Sequence, residues 1–230
     1  MKAGLDRRLA AEALGTAFLL AVVVGSGIMG ERLAGGNTAV ALLANTLATG
    51  TGLTVLILLF GPLSGAHFNP LVSFAKAWQR ELPWNEVPGY FIAQMSGAFV
   101  GVAAAHLMFG LPLYAASQHS RSGLALGFSE FVATFGLLLV IIACDKQRPA
   151  VTPFAVGAYI TSAYWFTAST SFANPVVTLA RAVTDTFTGI RPQDTPGFIV
   201  AQLLGMIAAV LFCRWLWNDP TKNPVKFKTA

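Results

Sequence analysis

Charge is what this 230-residue chain has least of. Asp, Glu, Lys and Arg make up 11% of it, against about 25% in an ordinary soluble domain. Two stretches carry none at all: 43 residues from Leu33 to Ala75 and 32 residues from Pro149 to Ala180. With apolar residues at 55% and a mean hydropathy of +0.63, this is the composition of a membrane protein. Two cysteines, Cys144 and Cys213, are too few for a disulfide framework or a thiolate metal cluster. The three histidines, His67, His106 and His119, are too scattered in sequence to suggest a metal site. A net charge of +5 could suit nucleic acid, but the basic residues lie between apolar runs and read as membrane-flanking charge, so no nucleic-acid partner is expected. Neither a nucleophile, an acid pair nor a nucleotide-binding loop stands out. The sequence therefore gives no reason to expect an enzyme, a cofactor or a bound metal.

What is present is long apolar runs. Lys2, Arg7 and Arg8 precede one from about Leu9 to Met29. It exceeds the roughly 7–15 residues of a signal-peptide core and carries Glu12, so it reads as a retained first span. The first uncharged stretch is longer than the roughly 20 residues one crossing needs. It divides into a span near Thr38–Phe60 and a half-helix from Asn69, with breaks expected at Gly61-Pro62 and Ser64-Gly65. A third span covers about Val87–Phe109, residues 110–121 form a polar loop, and a fourth span runs from about Leu124 to Cys144 with Glu130 inside it. The second uncharged stretch gives a span near Val151–Phe166 and a half-helix from Asn174. A last span covers about Pro196–Trp217, before a basic tail at 219–230.

The chain repeats itself. Ala66-His-Phe-Asn-Pro-Leu-Val-Ser-Phe-Ala-Lys76 aligns with Ser171-Phe-Ala-Asn-Pro-Val-Val-Thr-Leu-Ala-Arg181, the two Asn-Pro pairs 105 positions apart (174 − 69). Each half opens with an intramembrane acid, Glu12 or Glu130, and closes on Ala-Gln-x-x-Gly, at Ala93-Gln94 and Ala201-Gln202. Repeats of about 1–112 and 122–218, each with three spans, must enter the membrane with opposite topology. That is an inverted repeat within one channel domain, 1–230, whose site lies where discontinuous helices meet. With a cytoplasmic N-terminus, eleven basic residues fall inside and four outside, in keeping with the positive-inside rule.

The doubled motif has a physical reading. Asn caps helix starts and Pro fits their first turn. Two half-helices meeting head to head would each bring about half a positive charge and several free N–H donors to the bilayer midplane. Irregular backbone survives at that depth only inside protein or along a cavity. Asn69 and Asn174 would turn side-chain amides to the passage, while the converging dipoles repel cations. Glu12 and Glu130 read as structural acids that accept hydrogen bonds from the unwound segments. His67 reads as lining the cytoplasmic vestibule.

These boxes, Ser64-Gly-Ala-His-Phe-Asn-Pro70, the two opening Glu residues and the Ala-Gln-x-x-Gly spans together resemble the aquaporin and aquaglyceroporin family over essentially the whole chain. The resemblance implies an all-α membrane fold of six transmembrane helices plus two re-entrant half-helices, a pore in each protomer, and a homotetramer in membrane lipid. The setting implied is a bacterial inner membrane, with both termini cytoplasmic. Against the family's usual Asn-Pro-Ala, the boxes Asn69-Pro70-Leu71 and Asn174-Pro175-Val176 carry larger third residues. By family spacing the outer filter would be Thr49, Ser162, Ser171 and Val177. Val177 stands where the family usually carries arginine, and Thr178 where glycerol facilitators carry Asp. Arg181 aligns with Lys76 and is expected to be a surface charge on its half-helix. Small uncharged filter residues imply a wide pore for water, glycerol-like polyols and neutral metalloid hydroxides such as arsenite and antimonite, as in a bacterial branch associated with metalloid export. Two other readings stay open: an ion- or proton-coupled secondary transporter, and a non-conducting relative plugged by Leu71 and Val176.

Overall fold

A computed structural model describes residues 3–217. The basic tail expected at 219–230 lies outside the described residues. The described chain forms eight helices: α1 (Leu5–Leu33), α2 (Thr38–Ser64), α3 (Pro70–Trp78), α4 (Val87–Met108), α5 (Leu124–Gln147), α6 (Thr152–Phe166), α7 (Pro175–Arg181) and α8 (Thr195–Trp217). Five of them are long and apolar enough to cross a membrane. The sixth, α6, has 15 residues, or about 22 Å. The 3-10 turn Pro149–Val151 leads directly into it, which brings the rod to about 28 Å, close to the roughly 30 Å of hydrocarbon. The short α3 and α7 are the half-helices.

Packing follows the repeat. In the first half α1 lies against α2 and α4; in the second, α5 lies against α6 and α8; α2 and α6 join the halves. These contacts are close because the facing residues are small. A side chain at Gly97 or Gly101 of α4 would strike the backbone oxygen of Ala13 or Ala17 in α1, and one at Gly205 of α8 would strike that of Phe131 in α5. Where α2 crosses α6, Gly50 receives the Thr161 hydroxyl and Gly157 receives the Thr54 hydroxyl, so Gly-x-x-x-Thr occurs once on each side. Such small-residue crossings suit membrane helices, whose association rests on van der Waals fit instead of water exclusion.

One expected break is absent. Helix α2 runs through Gly61-Pro62 and ends at Gly65, whose φ of +93° provides the left-handed C-cap. Proline forfeits a backbone bond to the residue four before it, here Leu58. Leu58 and Pro62 are both exposed and both border the mouth of the cavity described below.

Candidate functional site

Each half-helix is preceded by a strained segment, and the strain repeats at matching points. Ala66 and Phe68 have φ of +49° and +47°; Ser171 and Ala173 have +51° and +49°. Left-handed backbone is costly for residues with a side chain, of order 1–3 kcal/mol each. A buried acid holds each segment in place. Glu12 accepts the backbone N–H groups of His67 (2.9 Å) and Phe68 (2.8 Å), the Ser64 hydroxyl (2.6 Å) and the Gln94 amide (2.8 Å). Glu130 accepts those of Phe172 and Ala173 (both 2.9 Å) and the Gln202 amide (2.6 Å). The glutamines of the two Ala-Gln-x-x-Gly spans reach on to the half-helices, Gln94 to Ser73 and Gln202 to Thr178. Side-chain volume is exchanged between the halves: the Phe68 ring occupies the space a side chain at Gly15 would need, while in the second half small Ala133 and Ala173 share a core cluster.

The two Asn-Pro boxes meet at the centre. Asn69 caps α3 by accepting from Leu71 N, and Asn174 caps α7 by accepting from Val176 N and Val177 N, with Pro70 and Pro175 in the first helical turns. Each side-chain amide also crosses to the opposite segment. Asn69 Nδ2 donates to the Ala173 carbonyl at 2.7 Å and Asn174 Nδ2 to the Phe68 carbonyl at 2.8 Å. One N–H of each amide is thereby committed. Both asparagines border the cavity, and the second N–H of each amide has no partner among the described hydrogen bonds.

That cavity, about 760 Å³, runs from Lys76, Glu81 and Asp145 past His67 and both asparagines to Ser171, Val177 and Arg181. One wall is apolar and built in repeat-related pairs: Leu19 and Val23 of α1 with Leu137 and Ile141 of α5, Leu53 and Ile57 of α2 with Ile160 and Tyr164 of α6. Residues 65–69, Ser171 and the two asparagines also line the cavity. His67 bonds Ser73 at 3.0 Å through Nδ1 and packs its ring against Tyr90. Leu71 and Val176 are buried but do not border the cavity, so the plug that their size suggested is not in place.

Three of the four filter residues expected from spacing, Thr49, Ser171 and Val177, line this cavity, and the Ser171 hydroxyl is buried with no partner. Ser162 does not join them. It faces the outer groove with Leu139, Tyr159 and Phe212, and its hydroxyl bonds the Tyr159 carbonyl at 2.8 Å. The phase of the helix explains this: the cavity face of α6 is Val156, Ile160 and Tyr164, spaced by four, and a residue two before Tyr164 points roughly 200° away. Tyr164 lines the cavity at this level, its hydroxyl 3.4 Å from that of Thr49.

Arg181 overturns a second expectation. It is not a surface charge but is 2% exposed and borders the cavity. Its Nε donates to the Thr188 carbonyl, and its guanidinium carbon lies 3.3 Å from the Phe172 ring centroid. The signal was in the spacing: Val177 and Arg181 are four apart and share a face of α7. The loop expected to be merely polar is also drawn in over this end. Ala115 N and Ser117 N bond the carbonyls of Val183 and Ala182, while His106 reaches Pro112 and Thr184. Arg121 donates to the carbonyls of Gly189 and Ser169, and burial lowers its pKa from the ordinary value, with Glu130 pulling the other way.

Comparison with known proteins agrees with this architecture. The family model for major intrinsic proteins matches residues 2–167. The chain is 54% identical over 212 residues to the aquaglyceroporin AqpS of Rhizobium meliloti (strain 1021), covering 92% of this chain and 91% of that one. It is 36% identical over 151 residues to the aquaporin NIP3-1 of Arabidopsis thaliana, covering 60% of this chain but 47% of the plant protein. Among solved structures, the aquaglyceroporin from Plasmodium falciparum superposes with a TM-score of 0.69 at 26% identity, covering 92% of this chain and 95% of the other. With its family model, its bacterial relative and its fold in agreement, the chain belongs to the major intrinsic protein family and is a membrane channel, not an enzyme.

Proposed function

We propose that the chain is a passive channel with a wide filter, passing water, glycerol-sized polyols and neutral metalloid hydroxides such as arsenous and antimonous acid. It works as a homotetramer embedded in lipid, in a bacterial inner membrane with both termini cytoplasmic. The observation that carries this reading is the cavity of about 760 Å³, whose lining combines apolar side chains with the two asparagines. A polyol carries C–H groups along one edge and hydroxyls along the other, and such a passage can satisfy both at once. Metalloid hydroxides present three hydroxyls on an uncharged core close to glycerol in size. The asparagine amides supply donors, and Val177 leaves width where an arginine would narrow the path. The name of the Rhizobium relative, an aquaglyceroporin, supports the polyol part.

The test is stopped-flow light scattering on proteoliposomes, with osmotic water, glycerol and arsenous acid fluxes compared between wild type and Val177→Arg. Wild type should pass all three faster than empty liposomes. The variant should lose glycerol and arsenous acid flux by about tenfold, an increase of about 1.4 kcal/mol in the barrier, while water still passes. Wild-type fluxes no faster than empty liposomes would refute the reading.

A further inference from the structure

Each half-helix carries a basic residue in its last turn, Lys76 or Arg181, at matching points of the repeat, and both border the cavity. Their surroundings differ. Lys76, at the inner end, pairs with Glu81 at 2.5 Å and Asp145 at 2.7 Å, so two carboxylates neutralise it. Arg181, at the outer end, has no carboxylate within ion-pair distance among the described residues; its contacts are the Thr188 carbonyl and the Phe172 ring. Arg121 approaches the same ring at 5.2 Å and is likewise held by backbone carbonyls.

The repeat explains the difference. Carried forward by 105 positions, Glu81 becomes Thr186, and carried back by 118 (130 − 12), Asp145 becomes Gly27. Neither can neutralise a cation. Glu130 spends its oxygens on Phe172, Ala173 and Gln202. Asp185 is exposed and accepts from Gln118 N.

We propose that Arg181 is the charge-selecting residue of the pore, a cation set one helical turn outward of Val177. The proposal rests on reading the cavity as the conducting path. Size is then sieved at the level of Val177, Thr49 and Tyr164, and charge is sieved about 6 Å further out. A passing cation meets an unneutralised guanidinium in surroundings too poor in water to screen it. A neutral solute meets donors for its oxygens. Separating the two functions lets a wide filter stay closed to cations.

The experiment compares wild type, Arg181→Leu, Arg181→Gln and Arg181→Lys in proteoliposomes. Proton influx is driven by a potassium–valinomycin potential and read by a trapped pH dye, and sodium influx is read in parallel. Water flux well above empty liposomes marks folded channels, and Arg181→Gln, which keeps a donor for the Thr188 carbonyl, covers a misfolded leucine variant. Wild type should leak at the liposome background. The leucine and glutamine variants should raise the cation leak at least about tenfold, the equivalent of about 1.4 kcal/mol, and lysine should return it to background. Neutral variants that conduct water yet leak no more than wild type overturn the proposal alone. Wild type that conducts neither water nor glycerol overturns the channel reading and this proposal with it.

Discussion

Replacing Glu12 by Gln changes one atom and should loosen the whole inner half of the pore. In the wild type every partner of this carboxylate is a donor: Ser64 Oγ and His67 N on Oε1, Phe68 N and Gln94 Nε2 on Oε2. An ionised carboxylate only accepts, so all four fit. An amide turns one oxygen into a donor, and whichever way it faces, two donors lose their acceptor. Ser64 can rotate towards the Phe60 carbonyl, and Gln94 can present its unpartnered Oε1. Neither adjustment rescues the backbone N–H on the same oxygen, His67 in one orientation and Phe68 in the other. One buried N–H is therefore orphaned, at about 1–3 kcal/mol, and the remaining bonds lose their charge assistance, at about 1 kcal/mol. The sum, about 2–4 kcal/mol, acts on a segment already strained at Ala66 and Phe68. For a chain of this size it corresponds to a fall of about 5–15 °C in Tm. Thermal unfolding in detergent micelles, followed by tryptophan fluorescence, measures this, and glycerol flux should drop at the same time. A Tm within about 2 °C of wild type, with flux unchanged, would show that the acid does not hold the segment.

Two further predictions test the frame and the central clasp. Gly97→Val should separate α4 from α1, because its side chain would overlap the Ala13 backbone; a loss of more than about 3 kcal/mol is expected, visible as loss of folded protein on size-exclusion chromatography. Gly127→Ala, where nothing lies within 4 Å, should stay within about 0.5 kcal/mol in the same assay. Asn174→Ala removes the cap of α7 and leaves the Phe68 carbonyl unpaired, costing about 2–4 kcal/mol in thermal unfolding; an unchanged Tm would mean that the cross-clasp contributes nothing.

The repeat could be read from sequence because the features that encode it are local and chemically narrow. Few residues other than Asn-Pro open a helix in this way, and an acid inside an apolar run invites a search for the donors it accepts. The phase of α6 was harder. Ser162 and Tyr164 lie in a helix that is apolar on every side, with Phe154 and Trp165 exposed and Val156 and Tyr164 buried. Lipid and pore wall therefore draw on the same residue types, and hydrophobic periodicity fades. The phase was nonetheless encoded in size. Aligning Gly50-x-x-x-Thr54 with Gly157-x-x-x-Thr161 sets α2 on α6, and the cavity residues then follow as Leu53 with Ile160 and Ile57 with Tyr164.

Arg181 was misplaced for a different reason. A repeat fixes where a backbone goes, and the alignment of Lys76 with Arg181 correctly relates the ends of two half-helices. It does not carry over the neighbours that decide what a charge does there. Lys76 can sit at a cavity mouth because α5 and the turn after α3 each bring a carboxylate to it; the equivalent positions beside Arg181 hold Gly27 and Thr186. Aligning all three positions, and not the basic residue alone, exposes the asymmetry without a structure. It also sets the direction of the proposed effect: in a symmetric scaffold, the end that lacks counter-charges is the end at which a cation is turned away. In this chain that is the end where Arg181 faces the cavity over Phe172.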